Sequence, residues 1–245
     1  MSDKVAGIDA KQGGHMGQYF LAGNPQIAIK LRRSSRSSRI SLRISKLNGE
    51  VALIIPRHVS EDKAIEFAES QKDWLLERLA NVQGEEPVRI GCEIPFKGVK
   101  CRVVSGSGRQ VLVSGDVLHV PGPVLRAGPR LEVWLKAQAR DGLAVAADNF
   151  AKKIDRSYSK LAILDPRSRW GSCSIEGRLM FSWRLIMAPP QVLDYVVAHE
   201  VAHLVEMNHS SAFWNVVDKL MPGFEPHRQW LRKRGDTLLQ YSFSG

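Results

Sequence analysis

With 245 residues, 44% of them hydrophobic, the chain can bury one large core or two small ones. Its 35 Lys and Arg against 25 Asp and Glu leave a formal charge of +10, which favours a polyanionic neighbour such as nucleic acid but assigns no function. Three scattered cysteines (Cys92, Cys101 and Cys173) exclude a disulfide framework, no apolar run approaches the roughly 18 residues of a membrane span, and the N-terminus lacks the apolar core of a signal peptide, so the expected location is the cytoplasm.

Residues 1–24 are rich in Gly and polar groups without periodicity and read as a mobile leader. From Ile27 the text changes to short β-like runs, IAIKL, RISLRISKL and GEVALIIP. Asn48-Gly49 is the expected hairpin turn between the last two, and the start is read as antiparallel. Ser60 is placed to cap a helix whose first turn carries Glu61 and Asp62, with Ala64, Phe67, Ala68, Trp74, Leu75 and Leu79 at helical spacing and an end near Gly84. IPFKGVKCRVVSG, QVLVSG and DVLHVPG then read as three more strands, so residues 25–122 form a small, mostly β domain.

Pro121, Gly122, Pro123, Gly128 and Pro129 punctuate the chain, and a domain boundary is expected there, with residues 123–245 as the second domain. It opens on a long helical pattern through Leu131, Trp134, Leu135, Val145 and Ala146. KLAILD follows, and then RWGSCS and RLMFSWRLIMA, which suggest a hairpin about Ile175-Glu176-Gly177. Pro189-Pro190 suits the first turn of a helix, so QVLDYVVAHEVAHLVEMN is read as helical.

On that helix His199 and His203 are four apart and share a face, with Cβ atoms about 5–6 Å from one another. Glu200 leans from the next position, where its carboxylate reaches a water without being a ligand. This is the H-E-x-x-H arrangement of two zinc ligands and a general base. Chance supplies that pattern in roughly one of a hundred chains this long at ordinary residue frequencies, so context must add weight. His209, six positions on, is a candidate third ligand if the helix ends near Asn208, a residue that tolerates a left-handed turn. Ordinary helix histidines are one alternative. A structural zinc is another, but a fourth protein ligand is not evident: Glu206 is expected off the other side of the helix, and a thiolate at Cys173 competes with simple packing.

RSRWGSCS at 167–174, FSWRLIMAPP at 181–190, LDYVVAHEVAHLVEMNHSSAFW at 193–214 and MPGF at 221–224 resemble, in order and spacing, the YgjP-like family of metal-dependent hydrolases. The Arg-rich strand, IIPRHVS and the Trp74 helix resemble it too, so the likeness covers most of the chain beyond residue 25. It implies an α+β fold: a zincin-like domain, similar to SprT-like proteases, with helices packed on a small antiparallel or mixed sheet and a β-rich N-terminal extension. His199, His203 and His209 fall on the family's ligand positions and Glu200 on its catalytic glutamate. Ser182 stands where the family more often carries Asn, which puts a local hydrogen bond in question.

Arg169, Trp170, Gly171 and Ser172 are candidate substrate-binding residues, because an edge strand beside the active helix can hold an extended peptide by backbone pairing. Arg32, Arg33, Arg36, Arg39 and Arg43, flanked by Lys30 and Lys46, are dense enough to hold phosphates, although a charged edge that resists strand pairing reads equally well. His227 is a candidate oxyanion donor against a surface role, and His15, His58 and His119 have no metal spacing. The expectation is a hydrolase with one zinc per chain acting on peptide or protein, without a membrane partner. The alternative is a nucleic-acid-associated protein, either a DNA-linked protease or an adaptor with a structural zinc.

Overall fold

The computed structural model describes residues 17–21, 27–45, 49–80 and 84–244. They form a mixed α/β protein with six α-helices and several small sheets. The chain divides into two compact units, residues 1–84 and 85–245.

In the first unit β1 (Gln18–Phe20), β2 (Ala28–Ser34), β3 (Ser41–Ile44) and β4 (Val51–Pro56) form one sheet in the order β1-β2-β4-β3. The leader expected over 1–24 thus contributes a strand at its end, and Leu21 is buried beside it. Residues 1–16 and 22–24 lie outside the described residues. β3 and β4 pair antiparallel as expected, and Gly49 takes φ +67° in their connection, whereas Asn48 and Lys46 lie outside the described residues. The wholly antiparallel start is corrected, since β2 and β4 run parallel. VALIIP is the most apolar of the three runs and takes a central position between β2 and β3; a strand's period reports its buried face but not its neighbour.

Ser60 caps α1 (Glu61–Ser70), its Oγ accepting from Lys63 N. The expected single helix breaks at Gln71, and α2 (Lys72–Ala80) follows. Ala64, Ala68 and Leu75 share a core with Ile29, Leu31, Val51, Leu53 and Ile55.

In the second unit β5 (Glu86–Pro87) precedes a sheet of β6 (Glu93–Phe96), β7 (Val99–Gly106), β8 (Leu112–Ser114) and β9 (Val117–Pro121), ordered β6-β7-β9-β8. IPFKGVKCRVVSG is therefore two strands rather than one, closed by Lys97 and Gly98 at φ +50° and +80°, the turn geometry that matches strand twist. Ile94, Val103 and Leu118 of this sheet share one core with Leu131 and Leu135 of α3 (Ala127–Lys153), and Phe96 meets Trp134 at 5.0 Å. The units accordingly part at Gly84 and Glu85 and not at the expected boundary of 122. The Pro and Gly cluster there makes a tight bend inside one core, where a Cβ on Gly128 would lie 2.7 Å from the Val88 carbonyl oxygen.

β10 (Lys160–Leu164), β11 (Gly171–Cys173) and β12 (Arg178–Ser182) form the last larger sheet, in the order β10-β12-β11. β11 and β12 make the expected hairpin, but the strand stops at Ser182 and residues 183–187 form a 3-10 turn. Ser182 caps that turn by accepting from Arg184 N at 3.4 Å. Arg184 is buried and fully engaged, paired with Asp165 at 2.7 Å and donating to the Leu238 and Tyr241 carbonyls. It ties the sheet to the C-terminal segment, where β13 (Tyr241–Ser242) pairs with β5. α4 (Pro190–Ala202), α5 (Ser211–Leu220) and α6 (Glu225–Arg234) complete the unit. Among the described residues no helix is long and apolar enough to cross a membrane.

Candidate metal centre and cleft

Pro190 starts α4 because its missing N–H costs nothing at the first helical position, and Val192, Leu193, Val196, Val197 and Val201 bury the helix on several sides. His199 and Glu200 lie in its last turns and His203 is its C-cap. The helix thus ends five residues before the expected end at Asn208. Leu204 N and Val205 N bond back three residues, tightening the exit, and Asn208 is not left-handed. Its Oδ1 instead accepts from Ser210 N, and Ser210 Oγ caps α5 by accepting from Phe213 N. The tight exit and this cap together return His209 to the other two imidazoles.

Among the described residues, His199, His203 and His209 form the one group of His, Cys, Asp or Glu side chains at metal-binding distance, their ligand atoms all within 4.8 Å of one another. His199 Nε2 and His209 Nε2 lie 3.0 Å apart. Tetrahedral zinc with nitrogens at about 2.0–2.1 Å needs them roughly 3.3 Å apart, so this cradle requires only a small adjustment. The Glu206 carbonyl oxygen is 2.9 Å from His203 Nδ1; accepting a hydrogen bond from Nδ1–H, it fixes the tautomer and leaves Nε2 as the free ligand atom. Glu206 therefore contributes its backbone, and its carboxylate is not in the cluster. Phe213, fully buried, lies 4.9, 4.5 and 4.7 Å from the rings of His199, His203 and His209. Burial, then the neighbouring His203 and His209, push the His199 pKa down to about 3, so its ring is neutral and able to ligate. The donor set fits a zinc ion.

Glu200 is 7% exposed, and burial raises its pKa to about 7 against the opposing pull of Arg169. Its side chain lies against Gly171 so closely that a Cβ there would sit 2.6 Å from Glu200 Cγ and Oε1. Trp170, Gly171, Tyr195, Val196, His199, Glu200 and Leu231 line one cleft of about 190 Å³. β11 is the sheet's edge strand beside it.

Of the four candidate substrate residues, Trp170 and Gly171 line this cleft, and Arg169 is exposed but close enough to act on the Glu200 charge. Ser172 pairs with Met180 on the opposite sheet face from Gly171 and Cys173, whose partners Phe181 and Leu179 are buried. The Cys173 thiol is pushed up to about 11 by burial and by Glu200 and stays outside the histidine cluster. His227, half-buried on α6, is absent from the cleft walls; it lies near Asp194, whose carboxyl burial pushes up against the smaller opposing pull of His227 and Lys153.

In the first unit Lys30 and Arg43 lie opposite one another across Ala52, and Arg32 follows Lys30 on the same face. Arg33 falls on the other face and bonds the Val59 carbonyl, while Arg36 and Arg39 sit in the loop between β2 and β3. Glu50 pairs with Lys30 at 2.7 Å and more loosely with Arg32 at 3.7 Å, which offsets part of the local charge.

Tyr195, Phe213, Trp214, Phe224 and Leu231 were not singled out from the sequence. Tyr195, one helical turn before His199, and Phe213, Trp214 and Phe224 lie within the segments that carry the family resemblance, whereas Leu231 lies outside them. Phe224 stacks between Tyr195 and Trp214 at 5.8 and 5.5 Å, and Arg228 lies 4.4 Å over Trp214.

A family model described as YgjP-like, metallopeptidase domain, matches residues 38–234. No curated protein matches the chain. Among solved structures, that of the metallopeptidase zymogen of Pyrococcus abyssi abylysin is similar over 42% of this chain and 97% of that one, at 22% identity and a TM-score of 0.33.

Proposed function

We propose, from the premise that the chain belongs to the YgjP-like metallopeptidase family, that it is a zinc-dependent peptidase with Glu200 as its general base. The observation that carries this reading is the convergence of three imidazoles with a buried carboxylate one residue from the first of them. His199, His203 and His209 would hold the ion. When bound, zinc supplies Lewis-acid polarisation and acidifies water.

Glu200 takes the proton of the attacking water and delivers it to the departing amine nitrogen as the carbon–nitrogen bond breaks and the water oxygen joins the carbonyl carbon. Burial alone holds the Glu200 carboxyl above the usual carboxylate range, and an ion held by the histidines would draw it back down. Gly171 leaves room for that side chain, and β11 offers backbone groups for an extended peptide. A purely structural zinc gives no use to a buried glutamate whose ionisation the fold disfavours. The reducing cytoplasm suits three free thiols.

Glu200→Gln tests the reading: zinc content should stay at one per chain while hydrolysis of an unstructured protein falls by about 10²–10⁴-fold. Full turnover in the variant would rule the mechanism out. A DNA-linked role is the second reading, favoured by the shared face of Lys30, Arg32 and Arg43.

A further inference from the structure

β11 runs between two recesses of the site. At its first residue, Gly171 borders the cleft with Glu200, and just past its last, Ser174 borders a second hollow with His203 and Val205. Resting on the peptidase reading, Glu200 must reach the leaving nitrogen. The part of a peptide that follows the cut bond then lies toward Gly171, and the part that precedes it lies toward Ser174. Val205 and Arg156 also line a third hollow, of about 360 Å³, where the C-terminal ends of α3 and α5 meet. Its walls carry Lys152, Lys153, Arg156 and Lys219 against one carboxylate, Asp155. We infer that this basic hollow docks an acidic segment on the N-terminal side of the bond that the metal centre cuts, with Arg156 and Lys219 as the residues that select it.

The charge of the hollow exceeds what the fold itself uses. Lys152 and Lys153 close α3 and Lys219 lies in the last turn of α5, where cations offset the negative helix ends. Four cations and one carboxylate leave three net positive charges, and two helix ends at roughly half a negative charge each leave about two of them unbalanced. Lys153 is committed, since its Nζ donates to the Leu220 carbonyl at 3.3 Å and lies 4.9 Å from the Phe150 ring centre. Lys152, Arg156 and Lys219 are exposed and, among the described residues, form no ion pair with Asp155 or any other carboxylate. Val205 is exposed and Val216 half-buried, so the lining also offers apolar surface. A row of phosphates leaves that surface uncovered, whereas a peptide sets apolar side chains beside its carboxylates. This favours an acidic peptide over nucleic acid.

The test uses the full zinc-loaded chain and peptides randomised along their length, with cut sites read by mass spectrometry. Wild type should enrich Asp and Glu before the cut and not after it. A peptide with a run of glutamates before its cut site should show a KM about tenfold lower than the same peptide with serines there, as a few exposed ion pairs together provide. The difference should disappear in about 1 M salt, where the screening length is about 3 Å. Arg156→Gln alone should lower the enrichment by about threefold. Arg156→Glu combined with Lys219→Glu should reverse it to Lys and Arg, while kcat/KM on the serine peptide stays as in wild type. Binding of the glutamate peptide to the Glu200→Gln protein, measured by fluorescence anisotropy, should weaken about tenfold when the same two reversals are added. Indifference to acids before the cut, a preference that survives both reversals, or an oligonucleotide of equal charge that binds more tightly through Arg156 and Lys219 overturns the inference and leaves the peptidase reading standing. No cutting of any peptide by wild type carrying one zinc overturns that reading, and the inference with it.

Discussion

The first unit concentrates positive charge and the second concentrates histidine, and the two densities have different fates. Lys30, Arg32, Arg33, Arg36, Arg39 and Arg43 crowd one stretch of sequence, but a strand sends neighbours to opposite faces, and Glu50 and Glu61 form ion pairs with three of them at the surface. Three histidines crowd another stretch, and there the helical repeat, a tightened exit and the Ser210 cap return all of them to one point. Density of a residue type marks a region. Convergence depends on the period of the element that carries it and on how that element ends.

The sharpest way to break this contrast is at Gly171, the point where β11 touches the base. In Gly171→Ala the new methyl must displace Glu200, so hydrolysis should fall by about 10²-fold with zinc content unchanged, because a misplacement of about 1 Å costs that much. Kinetics together with metal analysis checks it. Loss of zinc in step with activity would instead make Gly171 a support of the histidine cluster.

A second prediction separates the buried groups by pH in the metal-free protein. The Glu200 pKa is raised in the fold from 4.5 to about 7, so its contribution to stability is fully present below pH 4.5 and is lost as pH rises through about 7. His199, lowered from 6.5 to about 3, contributes above pH 6.5 and loses that contribution as pH falls through about 3. The two oppose one another between about pH 4.5 and 6.5. Glu200→Gln removes only the falling limb, so relative to wild type it should gain up to about 3 kcal/mol between pH 4.5 and 7, on the order of 1.36 kcal/mol for each tenfold change in proton affinity. Urea unfolding at both pH values measures it, and a constant difference between the proteins would show that Glu200 is not ionising against burial.

Much of the second unit was legible because its signals are local. Ser60 in the first unit, and Pro190 with the apolar α4 in the second, declare helix starts by their own chemistry, and H-E-x-x-H places two imidazoles by helical repeat alone. His209 was also legible, though for an incomplete reason: the chain turns at His203 through three-residue bonds, not at a left-handed Asn208. Tertiary partners were hidden. Nothing local in VALIIP announces a parallel neighbour, and nothing in Leu231 or Phe213 announces a cleft wall or a histidine support. Pro and Gly at 121–129 show the general ambiguity, since a bend inside a core and a linker between cores use the same residues.

The smallest expected effect lies in the first unit. If Lys30, Arg32 and Arg43 hold phosphates, Arg32→Ala and Arg43→Ala should each reduce the log-log salt slope of duplex binding by about 0.9. Fluorescence anisotropy over a salt series measures it. Wild type that binds no DNA at low salt returns these residues to a charged sheet face.

Zinc K-edge X-ray absorption on protein loaded with one equivalent tests the central claim most directly. The account predicts three imidazole nitrogens at about 2.0–2.1 Å with no sulfur, and two imidazoles in His209→Ala. A shell at about 2.3 Å, the distance of a thiolate such as Cys173, or an unchanged spectrum in His209→Ala, would contradict it.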